Sequence, residues 1–287
     1  MTVLDLDRLR ARLVEANLGH HADALLDLIE PSVRLVSEPM SERDAAATGT
    51  TRLGGEPDLP DAAAWPSFRD MPHSFIAQIN LADVSGLAGT NELPDDGLLS
   101  FFFDGDQRVW GFDPKDRGGW SVMFTPPGAS LHRRRFPASL PEGGRFAARA
   151  LRPRVELTRA PWESFDVRAL GLSLAQALAY ADALPADDHQ GTVHRLRGHP
   201  DMIQGDMQVE CQLASNGLYC GDATGSADPR ADTLRADAGS WRLLLQIDSD
   251  DDARIMWGDV GRIYYWLRRD DLAARRFEGA WCILQCS

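Results

Sequence analysis

The chain carries one eight-residue pattern twice, and each copy holds a proline and glycine that regular helix does not tolerate. R-L-G-G-E-P-D-L spans Arg52 to Leu59, and R-L-R-G-H-P-D-M spans Arg195 to Met202, with Arg, Leu, Gly, Pro and Asp at the same offsets. Downstream of each copy lies an apolar stretch ending in Gln-Ile and a polar residue, F-I-A-Q-I-N closing at Asn80 and L-L-L-Q-I-D closing at Asp248. A turn and a second aromatic strand follow each, G-L-L-S-F-F-F from Gly97 to Phe103 and G-R-I-Y-Y-W from Gly261 to Trp266. Three ordered matches in series predict a duplicated β-rich unit, about residues 45–125 and 190–287. A small sheet has an apolar face that needs cover, and a second copy across a pseudo-two-fold axis supplies it.

The remaining segments fill in an α+β, sheet-rich and internally duplicated fold of antiparallel strands with a few helices. Leu4 to Asn17 and His21 to Glu30 place apolar residues at helical spacing around Gly19, so residues 1–31 read as an N-terminal helical segment and 32–287 as the main domain. Ser32 to Ser37 reads as a strand and Pro39 to Thr51 as a loop. Arg52 to Trp65 reads as an ordered loop. His73–Asn80, Gly97–Phe103, Arg108–Phe112, Trp120–Phe124, Val193–Leu196, Met207–Leu213, Trp241–Ile247, Arg262–Leu267 and Trp281–Gln285 read as strands. Phe146–Leu157 adds a longer strand, interrupted at Pro153. Asp166–Leu184 is the strongest helix, with Leu170, Leu174, Leu178 and Ala181 on one face, and Asp270–Phe277 a short one.

Charge narrows the classes of partner. Forty-three acidic against 30 basic residues leave −13, so the molecule as a whole repels nucleic acid and anionic membrane. Lys115 is the one lysine. Eight arginines from His132 to Arg159 face only Glu142 and Glu156, a local balance of +6 that leaves −19 elsewhere. Such a stretch suits an acidic partner, dimerisation, or strands paired to acidic neighbours. Met1–Leu13 has no apolar run of signal-peptide length, and no stretch approaches a membrane span, so a cytosolic protein without membrane contact is expected. Cys211, Cys220, Cys282 and Cys286 have neither disulfide-framework nor zinc-site spacing.

L-G-G-E-P-D-L-P with Trp65-Pro66, F-I-A-Q-I-N-L, L-P-x-x-G-L-L-x-F-F, L-L-L-Q-I-D-S-D, M-W-G-D-V-G-R-I-Y-Y-W and a closing L-Q-C resemble the YwqG-like family of bacterial proteins. The resemblance covers about residues 30–287. It implies a sheet-rich, duplicated α+β fold, no established activity, no catalytic residues to carry over, and an occasional place beside toxin and immunity genes.

Signatures of specific chemistry are sparse: there is no Walker loop, no H-E-x-x-H and no C-x-x-C. Ser173, within G-L-S-L-A, reads as a helix N-cap rather than a nucleophile, because no apolar strand leads into it. His189, His194 and His199 are spaced so that neighbours diverge. Asp248, Asp250, Asp251, Asp252 and Asp259 form the densest carboxylate group, either a solvated hairpin tip or a divalent-cation site whose candidate ligands are Asp248, Asp250, Asp252 and Asp259. Gln78 and Gln246, near the ends of apolar strands, need partners for both amide atoms. They either tie down the Gly-Pro loops or line a cleft with Arg52, Trp65, Arg195, Gln204, Trp257 and Asp259. No cofactor is implied. The leading expectation is a non-enzymatic binding protein for an unidentified protein or small-molecule ligand, with an immunity-like role against a basic toxin as one form. The alternative is a metal-assisted hydrolase or transferase using Asp248, Asp259 and a histidine.

Overall fold

Short, mutually antiparallel strands dominate the computed structural model, which describes residues 6–183 and 191–287. Helices α1 (Leu6–Glu15) and α2 (Ala22–Asp27) lead into β1 (Glu30–Pro39). The expected loop after β1 contains a turn of helix, α3 (Glu42–Ala46), because the Ser41 hydroxyl caps it by accepting from Asp44 N at 3.1 Å. There follow β2 (Arg52–Leu53), β3 (Asp58–Pro60), β4 (Ser67–Phe68), β5 (Met71–Asn80), β6 (Leu98–Asp104), β7 (Trp120–Thr125), β8 (Leu131–Arg133) and β9 (Arg149–Thr158). Helices α4 (Phe165–Arg168) and α5 (Leu174–Ala183) precede β10 (Arg195–Leu196). After it come α6 (Gln208–Ser215), α7 (Ala223–Ala227), α8 (Ala231–Arg235), β11 (Trp241–Asp248), β12 (Arg262–Arg268), α9 (Arg269–Ala273) and β13 (Trp281–Gln285).

Among the described residues eleven strands form one sheet in the order β13-β12-β11-β10-β1-β9-β2-β5-β6-β7, with β4 paired to β5; β3 and β8 form a separate pair. The centre is the ten-residue β1–β9 ladder, from Glu30 opposite Thr158 to Pro39 opposite Arg149. On each side of it the sheet continues through a strand of only two residues, β10 or β2, and then a longer strand with a bulge. The bulges fall between Leu243 and Leu245 on β11 and between Phe75 and Ala77 on β5. A bulge bends its strand and increases the local twist, and the sheet curls until its ends nearly meet. Leu284 N donates to Trp110 O at 3.0 Å, and the indole nitrogens of Trp120 and Trp281 donate to Ala280 O and Gly111 O, each at 2.8 Å. Gly111 is needed at this seam, since a Cβ there would lie 2.0 Å from Cys282 O. Inside the curl, Phe101 and Tyr265 meet edge-on at 5.1 Å, and Trp257 packs between Phe103 and Phe146.

Several sequence expectations are corrected. Met207–Leu213 is not a strand: Met207 is the N-cap of α6 and Gln208–Leu213 lies within it. Its polar–apolar alternation also places Met207 with Cys211, and Gln208 with Gln212, at i and i+4, and all four are buried. The buried amides are satisfied, Gln208 by Trp241 O and Gln212 by the Trp241 indole and Arg268. Arg108–Phe112 is not a strand, because the N–H groups of Trp110 and Gly111 both turn to the Asp116 carboxylate at 3.0 Å. The helix from Asp166 is broken at Gly171 (φ +70°). A second helix restarts from Ser173, whose hydroxyl accepts from Gln176 N while Gln176 accepts from Ser173 N, a capping box that bears out the N-cap reading. The restart resets the helical phase, so Ala177 and Tyr180 are buried while Leu174 and Leu178 lie open to solvent. Tyr180 joins Leu13, Leu18, Leu25 and Val167 in a satellite core. Pro153 does not interrupt β9. Its opposite number Leu35 donates to His194 O, away from β9, so the pair is not hydrogen-bonded and the proline nitrogen faces a side that β2 does not reach.

His73 on β5 is fully buried opposite Asp104, with neither ring nitrogen hydrogen-bonded. Burial, outweighing the attraction of Asp104, pushes it down to about 4 from 6.5. The unfolded chain therefore binds the extra proton between pH 6.5 and 4, and stability falls as pH drops through that window, by about 3 kcal/mol. Glu210 on α6 opposes this: burial and then Asp206 push it up from 4.5 to about 7, so its contribution is present at low pH and lost as pH rises through that range. In urea titrations between pH 7 and 4, the stability of the native chain relative to His73→Leu should decline by about 3 kcal/mol as pH falls. A difference that stays flat with pH would refute a buried neutral imidazole.

Candidate functional site

Two polar junctions, one on each side of the central ladder, are built on the repeated octapeptide. In the first, Arg52 of β2 stands opposite Gln78 of β5. The chain then turns back through Gly54 and Gly55, both at positive φ; at Gly54 a Cβ would lie 2.4 Å from Ala147 O. That turn returns Asp58 to the arginine. Gln78 Oε1 accepts from Asp58 N at 3.0 Å, and Nε2 donates to Thr50 O at 2.9 Å and Asp58 Oδ2 at 2.7 Å. Asp58 Oδ2 also lies 3.2 Å from Arg52 Nη2, and Oδ1 accepts from Arg133 Nε at 2.6 Å. Arg133 reaches on to Ala45 O and Ala47 O at 3.1 and 2.8 Å, which seals the junction from outside. Arg52, Asp58 and Gln78 are all buried. Burial pulls the Arg52 guanidinium down to about 10 despite Asp58. Burial alone would raise Asp58, but the hydrogen bond from Arg133 and the charge of Arg52 hold it below the usual carboxylate range.

The second junction pairs Arg195 of β10 with Gln246 of β11. Gln246 Oε1 accepts from Asp201 N at 2.9 Å, and Nε2 donates to Val193 O at 2.9 Å and Asp201 Oδ2 at 3.0 Å. Arg195 donates to Asp201 Oδ2 at 2.6 Å, His199 O at 2.9 Å and Glu156 Oε1 at 2.8 Å. Tyr264 and Arg262 hold the Asp201 carbonyl at 2.6 and 3.0 Å. The difference from the first junction is at the surface. Asp201 Oδ1 takes no hydrogen bond from the described residues, its side chain is 30% exposed, and it borders a cleft of about 250 Å³ lined by Arg159, Trp162, Glu163, Arg195 and Met202.

The other sequence candidates lie apart from this cleft. Arg52 and Gln78 belong to the first junction and Arg195 and Gln246 to the second, with β1 and β9 between β2 and β10. Trp65 packs edge-on against Phe102 and Phe136 and donates to His73 O at 2.9 Å. Trp257 is fully buried, Gln204 is exposed with its backbone N bonded to Gln285 at 3.1 Å, and Asp259 is exposed at the turn before β12. The carboxylates at 248–252 are divided among separate partners. Asp248 accepts from Val193 N and pairs with Arg262, and Asp252 pairs with Arg149. Burial opposes ionisation of Asp250, but hydrogen bonds from His194 and Ser37 hold it well below the usual range. His194 Nδ1 accepts from Asp248 N at 3.2 Å, which leaves the proton on Nε2, facing Asp250. Among the described residues no group of three or more His, Cys, Asp or Glu is placed to hold a metal ion; His189 lies outside them.

The arginine stretch serves mainly local acceptors. Arg134 and Arg145 bond backbone carbonyls, and Arg149 and Arg152 pair with Asp252 and Asp44. Sequence reasoning missed Asp58, Asp201, Arg133, Trp162 and Glu163. The two aspartates were signalled by their place in the repeat. The covering residues were not, because nothing in sequence links positions so far apart.

A sheet-rich α+β fold with one nearly closed antiparallel sheet, carrying an Arg-Asp-Gln junction on each side of its central ladder, defines the class. Residues 51–286 match the family described as "Domain of unknown function (DUF1963)", and the chain belongs to it. No curated protein matches the chain.

Removing one amide should separate the two junctions by solvent access. Gln78→Leu strands Asp58 N and Thr50 O in a sealed site, while Asp58 Oδ2 keeps Gly49 N and Arg52, and should cost about 3 kcal/mol, read from urea midpoints. Gln246→Leu, where Asp201 can be rehydrated from the cleft, should cost about half as much.

Proposed function

We propose that the chain is a non-enzymatic binding protein built from two copies of one β-rich unit, and that its ligand occupies the cleft beside the second junction. The single observation that carries this reading is the contrast between a junction sealed by Arg133 and a matching one whose Asp201, among the described residues, is 30% exposed and lines a cleft. Duplication is supported by details that local need alone does not require. The strand order is mirrored about β1–β9, and each bulge lies two residues before its glutamine. The carbonyls of the bulged residues Ile76 and Leu244 accept from Gly54 N and Arg197 N. The residue before each arginine accepts from the residue two beyond each glutamine: Thr51 Oγ1 from Asn80 N, His194 Nδ1 from Asp248 N. Copies that share a frame but differ in cover keep the scaffold in one and gain a site in the other. The YwqG-like resemblance and an immunity-like role are consistent with a binder whose specificity lies in that cover.

Differential scanning fluorimetry against amino acids, polyamines, nucleotides, sugars and carboxylic acids tests this reading. Ala181 lines the cleft from α5, so Ala181→Trp fills it. Compounds that raise the native Tm should lose their effect in that variant; a panel with no compound sensitive to Ala181→Trp overturns the cleft assignment. Turnover of generic phosphate-ester or carboxyl-ester substrates, abolished by EDTA, would instead favour metal-assisted hydrolysis.

A further inference from the structure

The sealed junction contains a template for what the open one binds. Asp58 and Asp201 each direct Oδ2 to a strand arginine and a strand glutamine, Asp58 Oδ2 accepting from Gly49 N as well. They differ at Oδ1. On Asp58 this oxygen accepts from the guanidinium of Arg133 at 2.6 Å, and the other arginine nitrogens reach two backbone carbonyls. On Asp201 the corresponding oxygen has no hydrogen-bond donor among the described residues, and the residue lines the cleft.

We infer that the open junction is a receptor for a guanidinium group, an arginine side chain presented by a basic polypeptide partner. The inference rests on the cleft reading above and adds the chemical class of ligand. Three features of the site fit that class. A carboxylate with one oxygen fixed and the other without a donor among the described residues offers a charge-assisted acceptor to a planar, fork-shaped donor. Glu163 supplies a second carboxylate on the cleft wall, and Trp162 an aromatic surface over which a guanidinium can lie. The cleft also contains Arg195 and Arg159. Arg195 is held by Glu156, Asp201 and the His199 carbonyl, and Arg159 donates to Ala181 O, so both are engaged by the protein. Among the described residues Asp201 and Glu163 line the cleft beside these two engaged arginines, and the net charge of −13 draws a basic partner toward the surface. Lysine fits less well, because a single ammonium lacks the fork by which Arg133 reaches Asp58 and two carbonyls at once.

The test is calorimetric titration of the full chain with acetyl-Gly-Arg-Gly-amide and its citrulline and lysine counterparts. Citrulline keeps the shape and removes the charge. The arginine peptide should bind at least about 10-fold more tightly than the citrulline peptide, and more tightly than the lysine peptide. Ala181→Trp should abolish binding, and Asp201→Asn should weaken it about 10-fold. Because Asp201 also holds Arg195, Glu163→Gln, a cleft residue outside the junction, serves as the independent variant and should weaken binding about 3-fold. Equal affinity for arginine and citrulline, or binding unchanged in both Glu163→Gln and Ala181→Trp, overturns the inference. If the peptide fails to bind while other compounds from the panel bind and are sensitive to Ala181→Trp, the guanidinium assignment falls and the cleft remains. If neither peptide nor panel binds, both fall.

Discussion

Two arginines buried in the sheet set the terms for everything around them. Arg52 and Arg195 each occupy a strand of only two residues, and each is about 1% exposed. A guanidinium taken out of water is tolerated only if its charge is met and its donors are bonded. Each arginine therefore requires the aspartate that the Gly-Pro turn brings back, and each aspartate requires the glutamine on the neighbouring long strand. Through that chain of requirements the shortest strands connect the central β1–β9 ladder to the outer strands, and the turns become rigid parts of the sheet.

The rest of the architecture follows from how the outer strands curl. Bulges on β5 and β11 bend the two sides toward each other, and the aromatic rows on β6 and β12 meet inside in the main hydrophobic core. Indole N–H groups from Trp120 and Trp281 bond carbonyls across the seam, so the sheet edges are covered rather than left as templates for aggregation. At their outer faces the two junctions differ in cover. The β3–β8 pair brings Arg133 onto Asp58, whereas Asp201 borders a cleft beneath α5 and the segment around Trp162.

Much of the β framework was legible because its strands are short, aromatic or β-branched, and separated by turn residues. The strand positions at 73–80, 98–103, 241–247, 262–267 and 281–285 follow directly from that pattern. Where reading failed, two periodicities fitted one segment. Met207–Leu213 alternates as a strand and also repeats at four-residue spacing as a helix, and only the partners of Gln208 and Gln212 distinguish the two. At 166–184 the helical stripe was counted through Gly171, where the chain stops and restarts with a different face inward. The acidic group at 248–252 looked like one site because sequence proximity hides direction. Successive side chains diverge, and each carboxylate finds a different partner on the three-dimensional surface.

Sequence by itself determined that the octapeptide recurs, that its glutamine-bearing strands follow in the same order, and that the amides of Gln78 and Gln246 would need partners. Those features are local: they depend on backbone conformation at glycine and proline and on the cost of burying an amide unpaired. Only the tertiary structure decided that Arg52 and Gln78 hold an aspartate covered by Arg133, while Arg195 and Gln246 hold one that lines a cleft among the described residues. That outcome depends on Arg133, seventy-five residues from Asp58, and on Trp162 and Glu163, which approach Asp201 through the packing of the helical layer. Charge pairing across such separations is set by where strands lie in the sheet, and strand order is a property of the whole fold.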